Sequence, residues 1–167
     1  GLLFMGHGAQ KLFGVFGGAG VEGTASMFER AGLRPGRLHA RAAGSAELWG
    51  GALLALGLLA PFAAAALIGV MTAAIVTVHA PNGIWNTDRG YEYNLVMIAA
   101  AFALAAAGAG SWSLDAALGI GDAGAVWGLS AFVVGLLGGC AAVLSGRVEQ
   151  GGRRPSGRPG TPGVGRA

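Results

Sequence analysis

Residues 47–79 read ELWGGALLALGLLAPFAAAALIGVMTAAIVTVH, and beyond Glu47 they hold no Asp, Glu, Lys or Arg. A straight helix of that length would measure about 50 Å against a hydrocarbon layer of roughly 30 Å, so a single crossing does not absorb it. Pro61 stands near the centre, where its ring removes an N–H and disfavours a helical residue before it. Leu59-Ala60-Pro61 therefore predicts the tight turn of a helical hairpin, with helices over 43–59 and 62–79. One kinked helix is the alternative.

Working outward, Tyr93–Leu114 and Ala123–Gly146 are also free of charge. Each fits one crossing, and they predict helices over 93–110 and 125–145. The opening Gly1–Phe16 is apolar but too short to span, and is expected to be the end of a first helix whose start precedes Gly1. The fold class is thus all-α, a polytopic membrane bundle over 1–146, followed by a disordered basic tail over 147–167. Composition agrees: 53% of residues are hydrophobic and 11% charged, against about 25% charged in a soluble domain. Glycine is abundant, but it follows no Gly-X-Y repeat, which excludes a collagen-like chain. The single Cys140 excludes an intramolecular disulfide, a CxxC redox pair and a four-cysteine metal site.

The polar connection 17–42 holds Arg30, Arg34, Arg37 and Arg41 against Glu22 and Glu29. Ser26 and Glu29 have capping-box spacing and predict one short helix, ended by Gly32 and Pro35. Met27, Phe28 and Leu33 are candidates to rest it on the bilayer surface, with the arginines reaching phosphates; a solvated loop helix is the other reading. The tail 147–167 carries five arginines and one glutamate, whereas 111–124 holds Asp115 and Asp122. The positive-inside rule then puts the tail, the 17–42 connection and the 80–92 loop in the cytoplasm, and the Pro61 turn and the 111–124 loop outside.

Polar groups are costly in hydrocarbon, so the few present stand out. His7, Gln10 and Lys11 share one helix face. Glu47 has Gly50 and Gly51 nearby, small enough for a neighbouring backbone to approach. His79 ends the third predicted helix. A Lys11–Glu47 pair would neutralise both charges near one membrane boundary, with His7 or His79 adjoining. This predicts a polar pocket for a small redox-active or anionic ligand; a structural ion pair, or snorkelling to the headgroups, is the competing account. Two histidines on different helices also permit haem ligation, but no spacing demands it and no other metal is expected.

Gly18-Ala-Gly20-Val-Glu-Gly23 matches G-x-G-x-x-G, yet a membrane segment precedes it where dinucleotide binding needs a strand. Gly124, Gly128, Gly135 and Gly139 form two GxxxG steps on one face, a packing surface for the rest of the bundle or for a second subunit. Cys140 beside them reads as a small packing residue. Trp49, Trp85, Trp112 and Trp127 lie close to predicted helix ends, as interfacial anchors do. There is no recognisable catalytic triad, Walker loop or HExxH. Nucleic-acid binding is not expected, because the basic residues occupy a juxtamembrane loop and a tail rather than a folded face.

In order, His7-Gly8-x-Gln10-Lys11-Leu12-Phe13-Gly14, Phe28-Glu29-x-x-Gly32-Leu33-x-Pro35-Gly36, Glu47-Leu48-x-Gly50-Gly51-x-Leu53, Leu56-Gly57-Leu58, His79, Gly83, Glu92-Tyr93-Asn94 and Gly110-x-Trp112-Ser113-Leu114-Asp115 resemble the DoxX family of small bacterial membrane proteins over about residues 1–120. The resemblance implies a four-helix membrane core, here with a truncated first helix and an added fifth helix at 125–145. It further implies a place in the bacterial inner membrane and a part in a thiosulfate- or thiol:quinone-type redox system. His7, Lys11, Glu47 and His79 match its recurrent pattern.

The expected function is therefore a non-autonomous membrane subunit that anchors a redox partner and shapes a quinone-accessible pocket. Transport of a small solute or lipid, and a purely structural bundle that only organises partners, are the competing classes.

Overall fold

The computed structural model describes residues 1–121 and 123–151 of the chain, and every regular element among them is helical. Seven α-helices follow in order: α1 Leu2–Phe13, α2 Gly20–Arg30, α3 Gly36–Leu56, α4 Ala60–Ala74, α5 Glu92–Ala107, α6 Leu114–Leu118 and α7 Ala125–Gly151. A π-helical turn, Ile75–His79, and a 3₁₀ turn, Ala80–Asn82, prolong α4. With them α4 reaches 23 residues, and Ala60–Asn82 and Ala125–Arg147 are long and apolar enough to cross a membrane. α5 is apolar but shorter.

The hairpin forms around Gly57–Leu59. Gly57 ends α3 in the left-handed region (φ 59°), Leu59 precedes α4 with φ 49°, and Pro61 lies in the first turn of α4 rather than in the loop. Proline suits that place because its missing N–H has no intrahelical partner there. α3 begins at Gly36 rather than 43, since the charged residues before Ala43, Arg37 and Arg41, are exposed and do not interrupt the backbone ladder. Trp49 consequently falls well inside α3, on its exposed side, and not near a helix end.

The capping box also changes role. α2 starts at Gly20, so Ser26 and Glu29 lie inside it. Ser26 Oγ accepts from Arg30, while Glu29 Oε1 accepts the backbone N–H of Gly36 at 3.2 Å and so caps the following helix. Leu33 is buried and Phe28 half-buried rather than laid outward. Arg37 pairs with Glu22 at 2.8 Å, tying α2 to α3.

α4 is the central helix. It packs on α3, α5 and α7, while α1 and α2 are carried by α3. Small residues make the contacts. A methyl added at Gly51 would lie 2.7 Å from the Gly1 carbonyl, and one at Gly8 2.7 Å from the Gly44 carbonyl, so α1 and α3 run antiparallel with their backbones nearly touching. On α7, Gly135 sits on Ile68 and Gly139 on Gly69 and Thr72, which makes α4 and α7 parallel; Gly128 sits on Ala106 of α5. Gly124 stands apart: it precedes α7, has open space where a side chain would be, and donates its N–H to Ala106. Cys140 is exposed and not a packing residue.

Buried positions are mainly small, among them Ala40, Ala60, Ala63, Ala64, Ala101, Ala105 and Ala131, around Phe4, Leu67, Ile68 and Ile98. Large apolar side chains instead point outward, including Leu95, Val96 and Leu104 on α5 and Val126, Leu129, Val133, Leu137 and Leu144 on α7. Water would penalise that inversion by about 25 cal/mol for each Å² of apolar surface left exposed, whereas lipid does not. Small residues inside and large ones outside are the packing of a membrane bundle.

The predicted loop at 111–124 contains the short α6, capped by the Ser113 side chain. Asp122 and the tail from 152 to 167 lie outside the described residues, and 147–151 continue α7 instead of opening the tail.

Candidate functional site

The site begins with the spacing on α1. One turn separates His7 from Gln10 and Lys11, and Gly8 lets α3 come close enough for Lys11 to reach across. Lys11 Nζ donates to Glu47 Oε2 at 2.5 Å, and the Glu47 side chain is 2% exposed against 23% for Lys11. The carboxylate is thus the embedded member. Alone in so dry a place it would cost several kcal/mol, which the ammonium offsets. His7 lies within electrostatic reach of the same carboxylate.

His7 Nδ1 is 3.1 Å from Gln10 Oε1, and Gln10 Nε2 donates to the Phe16 carbonyl at 3.0 Å. Gln10 therefore steadies the turn after α1 and steers His7, and it stands outside the cleft described next. His79 belongs to the π-helical turn, and its Nδ1 meets the Arg89 carbonyl at 2.9 Å. That contact ties the end of α4 to the 83–91 loop, and the Lys11–Glu47 pair forms without His79.

What joins these residues is a cleft of about 820 Å³, within the range of small-molecule sites. His7, Lys11, Glu47 and His79 all line it. Most of the remaining lining is apolar, contributed chiefly by α3, α4 and α7. Of the packing glycines, Gly135 and Gly139 reach the cleft wall, whereas Gly50 and Gly51 hold α4 and α1 against α3.

Three further polar residues matter. Asn94 of α5 is 5% exposed, lines the cleft, and donates through Nδ2 to Met71 Sδ at 3.4 Å. Its sequence signal is an amide near the start of the charge-free run from Tyr93 to Leu114. His39, on the polar first turn of α3, lines the cleft near Gly146 of α7. Asp115, read from sequence as loop charge, is buried and accepts the N–H groups of Leu59 and Ala60 at 2.8 and 3.4 Å. Nothing local marks that role, because its partners lie 56 and 55 residues away. Among the described residues no cluster of three or more His, Cys, Asp or Glu is placed to hold a metal.

An apolar cleft with one buried ion pair can take up an amphipathic molecule and orient its polar end by hydrogen bonds. Residues 1–80 match the DoxX family model, so that part of the chain is similar to DoxX family proteins. That span holds His7, Lys11, Glu47 and His79; the resemblance at 81–120, Asn94 and Asp115 included, rests on sequence motifs alone. No curated protein and no solved structure matches the chain.

Proposed function

We propose that this protein, through its DoxX-like part, is an integral membrane component of a redox system, serving as the subunit that anchors an oxidoreductase and offers it a quinone-accessible pocket. The observation that carries the reading is the opening of Lys11 and Glu47, paired at 2.5 Å, onto an otherwise largely apolar cleft between helices with lipid-type surfaces. A quinone needs this combination: hydrocarbon walls for its tail and a few donors for its carbonyl oxygens.

In this reading α1, α3, α4, α5 and α7 lie in the bacterial inner membrane. α2, the 80–92 loop and the tail face the cytoplasm, where the arginines balance anionic lipid. The single cysteine leaves electron transfer to the partner, and no haem is invoked.

The test is purification from native membranes with identification of co-purifying proteins, followed by quinone reduction assays on wild type and Glu47→Gln. A co-purifying oxidoreductase whose quinone activity falls in an assembled Glu47→Gln complex supports the proposal. Solute or lipid flux by the lone protein in liposomes would replace it with a transporter. A fully active Glu47→Gln complex would leave only a structural bundle.

A further inference from the structure

We propose that the cleft takes an electrically neutral head group with two hydrogen-bond-accepting oxygens, one held by Lys11 and the other by Asn94. The inference rests on the quinone-pocket reading and deepens it by adding a binding residue and a charge rule.

The charge rule follows from the lining. Lys11 and Glu47 are its only Asp, Glu, Lys or Arg residues among the described residues, and they are paired; the imidazoles of His7, His39 and His79, also in the lining, carry no charge when unprotonated. A ligand with net charge would bring an unbalanced ion into a site of low polarity, where burying a lone charge is far costlier than burying a neutral polar group. A neutral ligand leaves the balance intact.

The donors fix the rest. An ammonium offers three N–H donors and no acceptor, and Glu47 takes one of them. The others can meet a ligand oxygen without breaking the pair. Asn94 supplies the second anchor. It is more than nine-tenths buried, it opens onto the cleft, and the acceptor it has found is the Met71 thioether. Thioether sulfur is a weak acceptor, so exchanging it for a carbonyl oxygen strengthens the bond without creating an orphan of comparable cost. The two donors come from different sides, since α1 is carried by α3 and α5 packs on α4 and α7. A head group bridging them must present oxygens at both ends.

The experiment uses the full chain in nanodiscs and a short-chain benzoquinone carrying ¹³C at its carbonyls, with equilibrium binding and infrared carbonyl stretches as readouts. Wild type should bind the probe with both carbonyl bands shifted to lower frequency. Asn94→Leu should bind it roughly fivefold to tenfold more weakly, with one band back at its free position. Met71→Leu should bind more tightly than wild type, because the Asn94 donor then lacks a partner until the ligand arrives. That variant also decides the matter if Asn94→Leu does not fold.

If quinone binds wild type but both variants match it in affinity and spectrum, the Asn94 role is wrong while the pocket stands. Equal affinity for a carboxylated analogue overturns the charge rule. Absence of quinone binding to wild type overturns the pocket reading itself, and this inference with it.

Discussion

The Asp115 carboxylate accepts the backbone N–H of Leu59 at 2.8 Å, while the Asp115 N–H donates to the Gly57 carbonyl at 2.9 Å. One residue of the α5–α7 connection thereby closes the hairpin between α3 and α4. An N-terminal helix amide is one of the groups that the helix itself leaves without a partner, and a carboxylate there also faces the positive end of the helix dipole.

Asp115→Ala should therefore destabilise the bundle by about 1–3 kcal/mol, the cost of stranding buried donors. Asp115→Asn, which keeps one acceptor oxygen, should lose less. Thermal unfolding in detergent measures both, and equal losses would mean that the retained amide oxygen does not replace the carboxylate as an acceptor.

Lys11→Met strands the Glu47 carboxylate and should cost about 3–5 kcal/mol. Adding Glu47→Gln should recover much of that loss, because a neutral amide tolerates the site where an unpaired anion does not. Losses that simply add in this double-mutant cycle would dissolve the coupling inferred from their 2.5 Å contact.

Gly138 and Gly139 are neighbours in α7 with opposite surroundings. A methyl at Gly138 meets nothing within 4 Å, whereas one at Gly139 would lie 2.5 Å from the Gly69 carbonyl and 2.7 Å from Thr72 Cβ. Gly138→Ala should be neutral or stabilising by up to about 1 kcal/mol through helix propensity. Gly139→Ala should push α7 off α4 and cost about 1–3 kcal/mol. Melting temperatures of the pair, moving in opposite directions, are the check.

Gly8→Leu should detach α1 from α3, since backbone fills the space where its side chain would go; Gly6→Leu, with nothing within 4 Å, should be tolerated. A cysteine crosslink between α1 and α3 should form in the Gly6 variant and fail in the Gly8 variant.

Leu137→Arg places a charge amid the outward apolar side chains of α7. It should raise the apparent insertion cost of that helix by about 3 kcal/mol or more. Unchanged membrane integration in a glycosylation-reporter assay would show that this face does not meet lipid.

Much of this molecule was legible in its sequence because the controlling quantities are local. Backbone hydrogen bonds within a helix join residues four apart, so the charge-free runs and Pro61 lie within a few residues of where α4, α5 and α7 start. The same logic singles out Lys11 and Glu47, since ionisable groups beside long apolar runs are conspicuous wherever they end up. What failed were inferences about partners. Glu29 had the spacing to cap its own helix and caps the next one. Gly124 had the spacing of a packing glycine and precedes the helix.

Tertiary structure alone decided which residues meet: Asp115 with Leu59, Asn94 with Met71, Gly8 with Gly44. These contacts depend on how far each helix is rotated about its axis and slid along its neighbour. In a bundle whose interior and surface are both apolar, hydropathy barely changes around a helix, so no periodic signal fixes either variable. Rotation and offset are settled by the close fit of small residues and by the few polar groups that must find one another, and those conditions are met only when all the helices are in place.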